Sequence, residues 1–364
     1  RGHGPGSDVK RSLYEACAWA SDRFVDCFRN SSLAKEAREY LRERGLTDDT
    51  LQAHSVGFAP NEWDWLLGQS QASGISTGHL EQAGLVVTRQ DRSGHYDRFR
   101  GRIMFPICDP QGRCVAFGGR VLPNAPPDSA KYINSPETPL FHKGKVIYGL
   151  DKSRRAMLDE KSALICEGQL DLIACFAAGV KNVAAPQGTA LTADQARVLK
   201  RYADEIVLSF DSDTAGQAAM VRSLDALLEA GLAVRVLTVP APHDPDSFIR
   251  EFGADAFRER LVKAESFFDF FLRQLCDTHG TETDAGRRAV LRAMGEAVWK
   301  ADDAVLTDRC AQQTALMLRV TAEAVRIEFA KVNSGKVPPP ETAPPPTEPI
   351  TRPSDLEYWL LRLL

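Results

Sequence analysis

Three apolar stretches of the chain each run out into acidic residues. Ala163-Leu-Ile-Cys166 ends in Glu167-Gly168, with Asp171 one helical turn further; Glu205-Ile-Val-Leu-Ser-Phe210 ends in Asp211-Ser-Asp213; and Val234-Arg-Val-Leu-Thr-Val239 leads to Asp244-Pro-Asp246. Each stretch suits a strand and is followed by residues of helical periodicity, so 161–253 reads as alternating strands and helices around a mainly parallel sheet. Ligands of such sheets gather outside the carboxyl ends of the strands. Six carboxylates, on Glu167, Asp171, Asp211, Asp213, Asp244 and Asp246, are therefore expected at one edge. Two unit charges about 4 Å apart repel by roughly 4 kcal/mol at an effective dielectric near 20, so the cluster calls for protonation or for divalent cations. Oxygen-only donors select a hard ion, Mg²⁺ or Mn²⁺, over zinc. Two or more such ions bridged by carboxylates suit phosphoryl transfer. Singly, each motif is bland, since Asp-Ser-Asp after a strand commonly caps a helix; the succession of all three carries the signal.

A second group of candidates is cationic. Residues 98–155 hold eleven Lys/Arg against four Asp/Glu, inside a chain whose 45 basic and 49 acidic residues sum to −4. A global field that draws polyanions is thus excluded, and affinity for nucleic acid must come from a local patch. Arg98, Arg100 and Arg102 alternate, which on a strand points them to one face. Arg120 follows Gly118-Gly119, glycines that permit close backbone approach. Lys131, Lys143 and Lys145 stand among Gly and Pro with Tyr132 and Phe141 interleaved. Cations alternating with aromatics are the ingredients of single-strand grooves and nucleotide pockets. The seven histidines are dispersed, no Ser/His/Asp arrangement stands out, and no Gly-x-x-x-x-Gly-Lys-Ser/Thr phosphate loop occurs. Trp63 and Trp65 read as packing residues.

The elements that must position these groups follow from length and pattern. The chain has 364 residues, 43% hydrophobic and 26% charged, which suits a globular protein of two or three subdomains. No apolar run approaches the roughly 20 residues of a membrane-spanning helix. The eight cysteines (17, 27, 108, 114, 166, 175, 276 and 310) are scattered, several in apolar surroundings. That pattern implies reduced, buried thiols, and no pair has zinc-site spacing. Residues 1–7 read as a Gly-rich remnant of expression engineering. Residues 8–60 read as helical, with Gly45 suited to ending a helix; 86–150 read as short strands and turns. Helices are expected over 169–179, from a Thr192 capping box to Tyr202, over 215–230 and from Asp246, with Val180–Ala185 as a strand. Residues 254–332 carry only helical periodicity. Eight prolines fall within 337–353, a linker, and 355–364 starts an amphipathic helix.

Glu167-Gly-Gln-Leu-Asp171, Asp211-Ser-Asp213-Thr-Ala-Gly216 and Asp244-Pro-Asp246 resemble the signature of a Toprim domain. Upstream, Arg98-Phe-Arg-Gly-Arg-Ile-Met-Phe-Pro-Ile107, Phe117-Gly-Gly-Arg120, Lys131-Tyr-Ile-Asn-Ser-Pro-Glu-Thr138, Leu140-Phe-His-Lys-Gly144 and Tyr148-Gly-Leu150 narrow the resemblance to the catalytic core of bacterial DnaG-type primases, over residues 10–330. The chain departs from the family at Gln169-Leu170, where Tyr-Met is common, and at Ser212, where Gly is. The resemblance implies an α/β and α+β multi-subdomain fold. Its parts are a basic α+β subdomain (8–155), a central Toprim sheet (156–253), a helical bundle (254–334), a linker (335–353) and the start of a helicase-interaction domain (354–364). It implies a nucleotidyltransferase, a DNA-directed RNA polymerase that makes RNA primers on single-stranded DNA from nucleoside triphosphates. Glu167, Asp211 and Asp213 would be catalytic, with Glu167 suited to general-base work, and all six acids would hold Mg²⁺ or Mn²⁺. Arg120, Lys131, Tyr132, Asn134 and Lys143 would bind triphosphate and template, and Arg98, Arg100, Arg102 and Lys145 nucleic acid. The implied partners are single-stranded DNA, nucleoside triphosphates, the RNA primer, a DnaB-type hexameric helicase reached through a missing carboxyl domain, and single-stranded DNA-binding protein. Zinc would belong only to a missing amino-terminal domain. The setting would be the bacterial cytoplasm, at the nucleoid and replication fork, for a monomeric core with no membrane contact. A Toprim topoisomerase or nuclease is the alternative enzyme, but a topoisomerase needs a nucleophilic tyrosine and none of the seven stands out. A non-catalytic scaffold of recombination-mediator type has no need to retain six mutually repelling acids.

Overall fold

The computed structural model describes residues 6–91, 93–188, 190–210 and 214–334. Asp211, Asp213, residues 1–5 and the expected linker and final helix (335–364) lie outside the described residues.

The helical start comprises α1 (Ser7–Asn30), α2 (Lys35–Glu43) and α3 (Asp48–Ala53). On α1, Leu13, Ala16, Cys17, Ala20 and Phe24 recur at three- and four-residue spacing and are all buried. Helix α2 closes where Gly45 adopts φ 77°, so that Leu46 N–H reaches the Leu41 carbonyl. Then come β1 (Gly57–Ala59), α4 (Trp65–Ser73), α5 (Thr77–Gln82), β2 (Val86–Thr88), β3 (His95–Asp97), β4 (Arg102–Cys108), β5 (Cys114–Val121) and β6 (Tyr132–Asn134). Strands β1-β4-β5-β6 form an antiparallel sheet. Along β4, Ile103, Phe105 and Ile107 enter one apolar cluster while Met104 enters another, so this strand is covered on both sides. The expected strand alternation of Arg98, Arg100 and Arg102 is not found: β4 begins only at Arg102, because Gly101 takes φ 58° and bends the chain.

The next layer contains α6 (Leu150–Glu160), β7 (Ser162–Cys166), α7 (Gln169–Ala177), β8 (Val183–Ala184), α8 (Ala193–Leu199), β9 (Glu205–Ser209), α9 (Thr214–Glu229), β10 (Ala233–Val236), α10 (Pro245–Val262) and β11 (Glu265–Ser266). The sheet order is β11-β10-β9-β7-β8, with β10, β9, β7 and β8 parallel. This is the parallel sheet expected, with shorter strands: β8 has two residues, extended by a single bridge from Ala185 to Tyr148. Strand β11, antiparallel to β10, falls where only helical periodicity was read; a two-residue edge strand is too short to leave a period in the sequence. Helix α10 is broken at Gly253, φ 88°.

Helices α11 (Phe267–His279), α12 (Asp284–Trp299), α13 (Ala304–Leu318) and α14 (Ala322–Ser334) complete the described chain. It divides into two compact units, ending and beginning at Phe270 and Phe271. In the first, one core runs from Leu41 and Phe105 through Leu164, Leu172 and Val207 to Phe248 and Phe257. The antiparallel and parallel sheets therefore share a core, and 254–264 packs with them. In the second, α12, α13 and α14 bury Val290, Met294, Ala311, Leu318 and Val325. No disulfide is formed by the eight cysteines, all of them among the described residues, and six are buried. Among the described residues no helix is long and apolar enough to cross a membrane.

Candidate active site

Where β7 ends, the turn Glu167-Gly168 leads directly into α7, whose first turn carries Asp171. Glycine leaves room there for the Asp171 carboxylate: a Cβ on residue 168 would stand 2.9 Å from Asp171 Oδ2. Glu167 and Asp171 line a pocket of about 360 Å³, together with Asp244, Arg44, Arg120, Lys131, Tyr132, Asn134 and Gln187. Three acids from the parallel sheet thus meet three cations from the helical and antiparallel layers.

Arg120 and Asn134 are placed by sheet register. Arg120 stands opposite Tyr132 on paired β5 and β6, and Gly118 opposite Asn134. The Arg120 guanidinium lies 5.6 Å from the Tyr132 ring centroid and 4.8 Å from that of Tyr40, both within cation–π range. It also donates to the Tyr40 hydroxyl, which accepts from Arg44 Nη1 at 2.6 Å. The close approach allowed by the two glycines is to the protein's own side chains: a Cβ on Gly118 would meet Gln169 Nε2 at 2.7 Å and one on Gly119 would meet Phe99 at 2.9 Å.

The acids after β10 divide in role. Asp244 caps α10, accepting from Ser247 N–H at 2.7 Å within a capping box. Burial alone would raise its pKa, but the bonds from Ser247 and the nearby Arg44 charge hold it below the ordinary carboxylate value. Asp246 does not line the pocket; it is 1% exposed and pairs with Arg44 Nη2. Burial pushes its pKa up, only partly offset by Arg44. Its Oδ1 is buried with no partner among the described residues. Among the described residues no group of three or more His, Cys, Asp or Glu side chains is placed to hold a metal ion. The acids that line the pocket, Glu167, Asp171 and Asp244, offer only oxygen donors, the donor type of hard cations, and Asp246 Oδ1 stands outside that lining.

The other expected residues lie apart. Lys143 and Lys145 are exposed on a turn held by Gln195, whose Nε2 donates to the Lys143 and Val146 carbonyls at 3.0 and 2.9 Å. Arg98, Arg100 and Arg102 line a different groove, of about 800 Å³, with Lys35, Asn61 and Asn124. Arg102 is nearly buried and donates to the Gly119 and Ala130 carbonyls at 3.1 and 3.0 Å, a structural use. Arg100 lies 4.1 Å over the ring of Trp63, which is 57% exposed rather than packed. Sequence reasoning missed Arg44, Tyr40 and Gln187. Arg44 stands beside a helix-ending glycine, and only its distant partner reveals it; an aromatic-cation spacing of four residues, Tyr40 to Arg44, was the available hint.

A parallel sheet with acids at its strand ends, sharing a core with an antiparallel sheet that faces them with cations, defines a Toprim-containing catalytic core. A family profile for the DNA primase catalytic core, N-terminal domain, matches residues 24–154, and a Toprim-like profile matches 164–249. The DNA primase of Deinococcus radiodurans is 40% identical over 287 residues, 79% of this chain and 49% of that protein. The crystal structure of a DNA primase domain from Pseudomonas aeruginosa is similar at TM-score 0.77 and 34% identity, covering 87% of this chain and 99% of that one. A DnaG primase catalytic domain solved bound to single-stranded DNA gives 0.76 and 31%, covering 88% and 100%. The chain belongs to the DnaG-type DNA primase catalytic-core family. It spans about half the length, or less, of the curated relatives it matches.

Proposed function

We propose that the chain is the RNA-synthesising core of a bacterial primase, a nucleotidyltransferase that extends RNA on a single-stranded DNA template. The observation that carries this reading is the convergence of Glu167, Asp171 and Asp244 with Arg44, Arg120 and Lys131 on one pocket. Arg120 and Lys131 bind the triphosphate. The Tyr40 hydroxyl, bonded to both Arg44 and Arg120, fixes the Arg120 guanidinium so that little side-chain entropy is lost on binding. Glu167 takes the proton of the attacking 3′-hydroxyl. Glu167, Asp171 and Asp244, and by the Toprim resemblance Asp211 and Asp213, would hold Mg²⁺ or Mn²⁺, which when bound would neutralise charge on the phosphates. Arg98, Arg100 and Trp63 track the template, Arg100 and Trp63 as a cation over an aromatic platform; that a similar primase domain is solved bound to single-stranded DNA supports such a template as the partner. The helicase and the single-stranded DNA-binding protein are assigned to the whole primase in the bacterial cytoplasm.

Labelled ribonucleotide incorporation on single-stranded templates, with and without Mg²⁺, tests the reading. Glu167→Ala is expected to lower synthesis by at least about a hundredfold while leaving single-strand binding within twofold of the parent. Retained synthesis would overturn the assignment of the acids.

A further inference from the structure

One side chain in the pocket is not accounted for by phosphate, template or cation. Gln187 is 6% exposed, and both its Nε2 and its Oε1 are buried with no partner among the described residues. Asn134 Oδ1, in the same pocket, is likewise unpartnered. Each buried polar atom left unsatisfied costs about 1–3 kcal/mol, so three together in a native site call for a ligand. They are held in place from outside the pocket. The Ala185 backbone exchanges two hydrogen bonds with Tyr148, at 2.8 and 3.1 Å, and Asn134 Nδ2 donates to the Gln187 carbonyl at 3.2 Å. The turn that carries Gln187 is thus tied to β6 and to the residues before α6, which preorganises its amide.

The chemistry of the three atoms selects the ligand. Two are acceptors and one is a donor. A phosphate offers oxygen acceptors and would face two acceptors here, and the pocket already supplies Arg120 and Lys131 for it. The edges of the four nucleobases present different donor and acceptor patterns, which one fixed amide pair cannot satisfy together. A vicinal diol matches: its two O–H groups donate to Asn134 Oδ1 and Gln187 Oε1, and one of its oxygens accepts from Gln187 Nε2. The 2′- and 3′-hydroxyls of ribose are that diol, common to all four ribonucleotides.

We propose that Gln187 and Asn134 read the ribose diol of the nucleotide in this pocket and set its preference for ribonucleotides over deoxyribonucleotides. This rests on the polymerase reading above. A nucleotide lacking the 2′-hydroxyl leaves buried polar atoms unpaired, which is how a hydrogen-bonding site rejects the analogue that lacks the group.

The test compares ATP with 2′-deoxyATP as incorporated nucleotides, and adds 3′-deoxyATP in equilibrium binding, using the full chain and Gln187→Leu. For the parent, ATP is expected to bind about tenfold more tightly than either deoxy analogue. In Gln187→Leu, kcat/KM for ATP is expected to fall about tenfold while that for 2′-deoxyATP stays within twofold, collapsing the selectivity. The variant is also expected to melt at or above the parent Tm, since it removes an unsatisfied buried amide. Equal binding of the three nucleotides by the parent would overturn the inference. So would equal losses for both substrates in the variant, or a Tm lowered by several degrees, which would mark the amide as structural. A parent that incorporates no ribonucleotide would sink the polymerase reading instead, and the binding comparison would still decide the role of Gln187.

Discussion

Arg44 is the residue on which the pocket turns, since it pairs with buried Asp246 and bonds the Tyr40 hydroxyl that also holds Arg120. Removing one partner of a buried ion pair leaves an uncompensated charge, a loss of about 3–5 kcal/mol, whereas apolar replacement of both is commonly near neutral. Arg44→Met is therefore expected to lower the unfolding free energy obtained from urea titration by an amount in that range, and Arg44→Met with Asp246→Leu to recover most of it. Equal midpoints for the parent and the single variant would show that the pair does not hold these layers together. None of this is legible locally. Glu167, Asp171 and Asp244 announce themselves because an apolar run followed by an acid is a nearest-neighbour pattern. Arg44 acquires meaning only from Asp246, 202 residues away, and Gln187 is one amide in a turn, with nothing beside it to mark it.

At the scale of elements, the sequence was most informative where capping chemistry is local. The Thr192 capping box and the Gly45 helix end both occur as the residues imply, whereas the helix read as starting from Asp246 is capped by Asp244. It was least informative where one glycine redirects the chain, as Gly101 does before β4 and Gly253 does within α10. The junction of α3 with α7 gives a pH dependence. His54 follows α3, is buried, and packs edge-on to Phe176 of α7 at 4.9 Å. Burial, with Lys152 and Lys181 nearby, lowers its pKa to about 4. An unfolded histidine titrates near 6.5, so the folded state favours the neutral ring. The stability this contributes is complete above about pH 6.5 and is lost as pH falls toward 4, by up to about 1.4 kcal/mol per pH unit. Urea midpoints at pH 7 and 5 are expected to differ less in His54→Leu than in the parent; an unchanged difference would refute the assignment.

Across the whole molecule, charge is segregated rather than abundant. A chain of net −4 concentrates its cations along 98–155, and the groove bearing Arg98, Arg100 and Lys35 is separate from the pocket bearing Arg120 and Lys131. Each phosphate contact on a single strand contributes about 0.7 to the slope of log affinity against log salt. Substituting Arg98 and Arg100 together by Ala is expected to flatten that slope by about 1.4 while leaving ATP binding unchanged; an unaltered slope would remove the groove from the template path. The Arg44–Asp246 pair also has a consequence in time. During synthesis at roughly 5–20 residues per second, Arg44 leaves the ribosome about 10–40 s before its partner, so the two halves of the pocket begin life as strangers. A nascent chain halted after residue 131 but before residue 246 carries Arg120 and Lys131 but not the carboxylate that pairs with Arg44.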